Sequence, residues 1–95
     1  MRAYNNISSA TTTTLITKQS IGGYIRKISI ANHDDSDSNT INLHLYDGTN
    51  TFVLVETVIP ARTTLILTDN LEFNLDRFDL KITTSSTADT TVIIY

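Results

Sequence analysis

Apolar and polar residues alternate with a period of two along much of the chain. Ile28 and Ile30 alternate with Lys27, Ser29 and Ala31. Ile41, Leu43 and Leu45 alternate with Asn42, His44 and Tyr46, and Phe78, Leu80 and Ile82 with Asp79, Lys81 and Thr83. One oily face and one polar face is what a half-buried β-strand requires. Three further stretches are apolar on both faces: Phe52-Val53-Leu54-Val55, Leu65-Ile66-Leu67 and Val92-Ile93-Ile94. Such runs predict either central strands or strands whose outer side meets another subunit. No stretch sustains the i, i+3, i+4, i+7 spacing of an amphipathic helix.

Turn chemistry divides these runs. Asp34-Asp35-Ser36-Asp37-Ser38-Asn39 predicts a solvated hairpin loop. Asp47-Gly48-Thr49-Asn50 predicts a tight hairpin, since Asp-Gly favours positive φ. Pro60-Ala61-Arg62, Thr68-Asp69-Asn70 and Thr84 to Asp89 mark further connections, and Gly22-Gly23 breaks the chain before the third strand. The pattern predicts about eight strands, near 4–7, 11–18, 24–32, 40–47, 51–59, 63–68, 77–84 and 90–95. The expected fold is an all-β, single-domain antiparallel β-sandwich over residues 1–95, jelly-roll or Ig-like. The segment Leu71–Leu75 alternates like a strand, yet also suits a crossover whose Leu71, Phe73 and Leu75 plug an open end of the sandwich. The chain ends in an apolar strand, Thr91 to Tyr95. At a sheet edge that strand needs cover from a second subunit; in a sheet centre it needs none.

Composition supports the β reading, because threonine, isoleucine and valine abound and fit a pleated surface. At 95 residues there is room for one core and little room for a deep cleft. Cysteine is absent, which removes disulfides and thiolate metal sites. The net charge of −3 and pI near 5.0 argue against general binding to nucleic acid or to an anionic membrane. No apolar run is long enough to span a bilayer, and the N-terminus carries no signal-peptide pattern. No cofactor is expected.

Candidate chemistry is sparse. Asp34, Asp35 and Asp37 could offer hard oxygens to Ca²⁺, and Asp35 to Asn39 copies the start of an EF-hand loop. The copy fails at Thr40, where glycine is needed, and at Tyr46, where glutamate is needed. Self-bonded turn side chains explain the loop better. His33 and His44 are too few for a zinc site and suit surface positions. Glu56 and Glu72 are a carboxylate pair without supporting spacing, and neither a nucleophile elbow nor a phosphate loop is present. A non-enzymatic protein is expected. Tyr46, beside the hairpin, could stack on a sugar, so a glycan-binding module is an alternative. Asn6-Ile7-Ser8 matches a glycosylation pattern by chance.

Residues 25–95 resemble a group of small virion proteins of tailed phages, notably marine and cyanobacterial ones. The resemblance is carried by Ile28-Ser29-Ile30-Ala31-Asn32 before a polar loop and by Ile41 to Tyr46. Val58-Ile59-Pro60-Ala61-Arg62-Thr63-Thr64-Leu65-Ile66-Leu67, Phe78 to Ile82 and Ala88-Asp89 before the last strand complete it. It implies a particle-surface sandwich without catalytic residues, of the capsid decoration or cement type. Its partners would be the major capsid protein or another virion protein, and copies of itself, with a trimer favoured. A head–tail, tail or fibre accessory protein is the alternative within that class. The expected interface residues are Val53, Val55, Ile66, Ile93 and Tyr95, with residues 1–22 as an anchoring or strand-exchange arm. The expected location is the virion.

Overall fold

The computed structural model describes residues 3–19, 24–69 and 71–95, and every structural statement below concerns these. They form eight strands and no helix: β1 (Ala3–Ile7), β2 (Thr12–Ile16), β3 (Ile28–Asn32), β4 (Asn39–Tyr46), β5 (Thr51–Ile59), β6 (Thr63–Leu67), β7 (Asp79–Thr84) and β8 (Thr90–Ile94). All eight expected strands are present. The expected third strand starts too early, because Tyr24–Lys27 precedes the ladder with β6, which opens at Ile28 paired with Leu67. The Gly22-Gly23 break and Asn70 lie outside the described residues.

Two antiparallel four-stranded sheets face each other. The first has the order β1-β8-β3-β6, the second β2-β7-β4-β5. Strands pair as one long hairpin folded on itself: β4 with β5, β3 with β6, β2 with β7, and β1 with β8. The pairs β3·β8 and β4·β7 then close each sheet. Only β4 and β5 are sequence neighbours within one sheet; every other connection crosses between the layers. An Ig sandwich pairs its first two strands within one sheet, whereas here β1 and β2 lie in opposite sheets. The loop from Asp34 to Ser38 is likewise a crossover from β3 to β4 rather than a hairpin loop.

The alternation now has a place. Ile28 and Ile30 of β3, Ile41 and Leu43 of β4, Leu80 and Ile82 of β7, and Val92 and Ile94 of β8 are fully enclosed between the layers. These are the four central strands, and each such side chain contributes about 1.5–3 kcal/mol by leaving water. Leu71 and Leu75 are buried and Phe73 packs against the core, so this segment is the plugging crossover and not a ninth strand. The two-faced runs separate into two kinds. Val92–Ile94 is central, paired on both sides, while β5 and β6 are edges of opposite sheets.

Two turns hold the long hairpin. Gly48 has φ 104°, and the Asp47 carboxylate accepts the amides of Thr49 at 2.8 Å and Asn50 at 2.6 Å. Between β5 and β6, Arg62 takes φ 59°, a left-handed conformation that follows Pro60 and Ala61.

Candidate functional site

The acidic loop is built from its own backbone. The Asp34 carboxylate accepts the amides of Ser36 at 3.2 Å and Asp37 at 2.9 Å, and that of Asp89 at 3.4 Å. These donors, Asp37 first, hold its carboxyl below the ordinary value of 3.8, with nearby His33 adding a little. Asp35 pairs with Arg62 at 3.1 Å, and Asp37 takes a long contact from the Ser36 hydroxyl at 3.5 Å. The three aspartates therefore face protein donors. Among the described residues no cluster of three or more histidine or acidic groups could hold a metal ion.

The two histidines differ. His33 is exposed, with Nε2 3.1 Å from the Thr91 hydroxyl. That hydroxyl donates to Asn6 Oδ1 at 2.7 Å, so the ring acts as donor to Thr91 and does not activate it as a nucleophile. His44, expected at the surface, is buried instead. It lies on the outer face of β4 between Lys81 of β7 and Val53 of β5, which cover it. Glu56 accepts from Asn42 Nδ2 at 3.1 Å, and Asn42 Oδ1 lies 2.9 Å from His44 Nδ1. With the amide oriented by Glu56, Nδ1 carries the ring proton. Glu72 lies elsewhere, in a hollow with Tyr24, Ile25, Leu71, Phe73 and Leu75. Tyr46 donates its hydroxyl to Gly48 O, and Lys81 Nζ sits 4.7 Å from its ring centre. A cation therefore occupies a ring face that a stacked sugar would need.

Buried polar pins escaped the sequence reading. Asn32 donates to Asp37 O and Ile59 O, both at 2.9 Å, and accepts from the Asp34 amide at 3.1 Å. Asn39 donates to the Thr90 hydroxyl at 3.0 Å and accepts from the Ser85 amide at 3.1 Å. Each asparagine ties one sheet to the other at the same end of the sandwich. The signal was present: Asn32 continues the phase of Ile28 and Ile30, and Asn39 leads that of Ile41 and Leu43.

The apolar surface is concentrated. Of the large exposed hydrophobics, Phe52, Val53 and Val58 belong to β5 and Ile66 to β6, with Tyr4 and Tyr24 elsewhere. A groove of about 300 Å³ opens between those two edge strands, lined chiefly by Leu43, Leu54, Val55, Ile66, Leu67 and Leu71, with Thr68 and Asp69 supplying its polar part. The five expected interface residues fall into two groups. Val53 and Val55 lie on the β5 edge. Ile66 and Ile93 share a row with Tyr4 and Ser29 on the outer face of the first sheet, and Tyr95 follows at one end of that face under Lys27. Ile66 belongs to both regions, at the corner where they meet.

The geometry defines an eight-stranded two-sheet sandwich with an apolar groove between the edge strands β5 and β6. No family model matches the chain, and no curated protein matches it in sequence. Its fold is similar to that of PirA, with 16% identity and a TM-score of 0.60 over 99% of this chain and 92% of that one. It is also similar to the Anabaena sensory rhodopsin transducer, with 16% identity, a TM-score of 0.52, and 99% and 96% of the two chains covered. A pentameric capsid protein isolated from metagenomic phage sequences matches with 13% identity and a TM-score of 0.53 over 98% of this chain and 61% of that one. At such identities the likeness is one of fold. No helix among the described residues is long and apolar enough to cross a membrane.

Proposed function

We propose that the protein is a non-enzymatic structural component of a phage particle, a capsid decoration or cement protein that binds the assembled shell and its own copies. The strand order, β1-β8-β3-β6 against β2-β7-β4-β5, is read here as a jelly roll, the eight-stranded sandwich common in capsid and lectin domains. The observation that carries the reading is the apolar corner formed by β5 and β6. Phe52, Val53 and Val58 stand exposed along β5 and Ile66 along β6, both unpaired sheet edges, and Ile66 also lines the groove between them. A long edge strand with a single charged residue, Glu56, is a template for pairing unless something covers it. A bulge at Leu54 of β5, between the pairs Val53–His44 and Val55–Leu43, interrupts the ladder and divides that strand into two regular stretches, Thr51–Val53 and Val55–Ile59. The fold shared with a pentameric phage capsid protein lends support of a coarser kind.

The test is to purify particles and measure the protein in them. The reading expects the protein at hundreds of copies per particle, bound through the β5–β6 corner. A few copies would favour a neck or tail accessory role, and absence from washed particles would end the proposal. Val58→Lys should release the protein from particles while leaving stability within about 0.5 kcal/mol, because Val58 is half exposed and its cross-strand neighbour Thr40 is exposed as well. Residues 1–22 remain our candidate for an anchoring or exchanging arm. Within them β1 and β2 are each the outermost strand of a sheet. Removal of residues 1–10 should then detach the protein from particles.

A further inference from the structure

The outer face of the first sheet has an unusual charge pattern. Its four strands read AYNNI, TTVII, ISIAN and TTLIL, without one acidic or basic residue. The second sheet, by contrast, carries Glu56, Asp79 and Lys81. Two rows cross the uncharged face: Tyr4–Ile93–Ser29–Ile66 and Asn6–Thr91–Ala31–Thr64. The small side chains of Ser29 and Ala31 keep its centre low.

Charge returns at the two ends of this face: Lys27, with Asp69 past the end of β6, at one, and Asp89, with Arg62 just ahead of β6, at the other. At one end Lys27 Nζ lies 4.2 Å from the ring centre of Tyr95. At the other, Asp89 and His33 border a shallow hollow of about 220 Å³ shared with Asn6 and Thr91. The aspartates 34, 35 and 37 of the acidic loop lie just beyond. The five residues of β3 separate Lys27 from His33, six steps or roughly 20 Å at strand rise.

We infer that this face pairs with the same face of a second copy, strands antiparallel, about a two-fold axis that lies between the two sheets and perpendicular to their strands. A chain of net charge −3 repels its own copies. The uncharged face is where two copies can meet without opposing like charges. The two-fold operation then sets Lys27 of each copy over the Asp89 end of the other, so both pairs of end charges are opposite in sign. Four strands at about 4.8 Å and a length of about 20 Å give a footprint of roughly 400 Å² per copy. That is at the small, weak end of specific interfaces. The contact is therefore concentration-dependent in isolation and suited to copies held close together. It deepens the self-association part of the reading above and does not depend on the particle part, which particle proteomics tests separately.

Sedimentation of the full chain tests it. Unaltered protein should move from monomer to dimer as its concentration rises toward the order of 0.5 mM. Lys27→Glu and Asp89→Lys should each weaken the dimer by about tenfold or more, since each turns two attractive contacts into repulsive ones. An equimolar mixture of the two variants should recover association, because every end contact in the mixed pair is again opposite in sign. Ala31→Arg, at the centre, should abolish the dimer with no recovery on mixing. Unchanged melting curves would show that each variant is folded. An unaltered protein that stays monomeric, or a mixture no stronger than either variant alone, would overturn the inference.

Discussion

Asn32 and Asn39 occupy positions that period-two counting assigns to the core, and they are buried there. The interior tolerates them because every polar atom finds a partner; among the described residues no enclosed side-chain nitrogen or oxygen is left without one. Asn32→Leu fills a similar volume but strands two carbonyls and one amide. It should cost about 3 kcal/mol, read as a lowered urea midpoint with unchanged slope. A loss below about 1 kcal/mol would show that the sheets are pinned elsewhere. The carboxylates of Asp34 and Asp47 act at the same scale. Backbone donors hold both below 3.8, Asp37 and Ser36 for the first, Asn50 and Thr49 for the second. A carboxyl depressed on folding stabilises above its unfolded value and loses that contribution as pH falls through the folded one. Stability should thus be flat above pH 5 and fall below about pH 4. In Asp34→Asn with Asp47→Asn, denaturation curves at pH 6 and pH 3 should lie closer together than in the unaltered protein.

At the scale of elements, β8 explains why the last apolar run needs no second subunit to complete its ladders. It is flanked by β1 and β3, so both of its backbone edges are used. The edges of the sandwich are β1, β2, β5 and β6, and of these β5 carries the most exposed apolar area. The turn between β5 and β6 holds Arg62 at φ 59°, where a Cβ is crowded. Arg62→Gly removes that strain and also an exposed ion pair with Asp35 worth a few tenths of a kcal/mol. Thermal unfolding should show no loss and a gain of up to about 1 kcal/mol. A clear drop would mean that the ion pair, not the turn geometry, fixes this corner.

Over the whole molecule, the ends of the chain meet: Ala3 pairs with Ile94 and Ile7 with Thr90. Most ladders join residues far apart in sequence, so loop closure must be paid before pairing stabilises the fold. Refolding followed by stopped flow should take milliseconds to seconds, slower than for a helical domain of equal length. A microsecond phase carrying the full amplitude would contradict the folded-hairpin wiring. The same wiring stacks β5 and β6 as edges of opposite layers, and so creates the groove and the apolar corner.

Alternation with period two gave the inward residues of β3, β4 and β7, because side-chain direction in a strand depends only on local geometry, and apolar runs with turn residues between them marked the other strands. Turn residues gave the hairpin at Asp47–Asn50 for the same local reason. The order of strands in each sheet was another matter. Strand partners are chosen by packing between distant segments, and nothing local in Thr51–Ile59 or Thr90–Ile94 says which is an edge and which a centre. The burial of His44 and the capping of Tyr46 by Lys81 also depend on neighbours brought from β7 and β5. The charge-free first sheet stands in the letters of its four strands, yet it becomes a surface only when the fold sets those strands side by side.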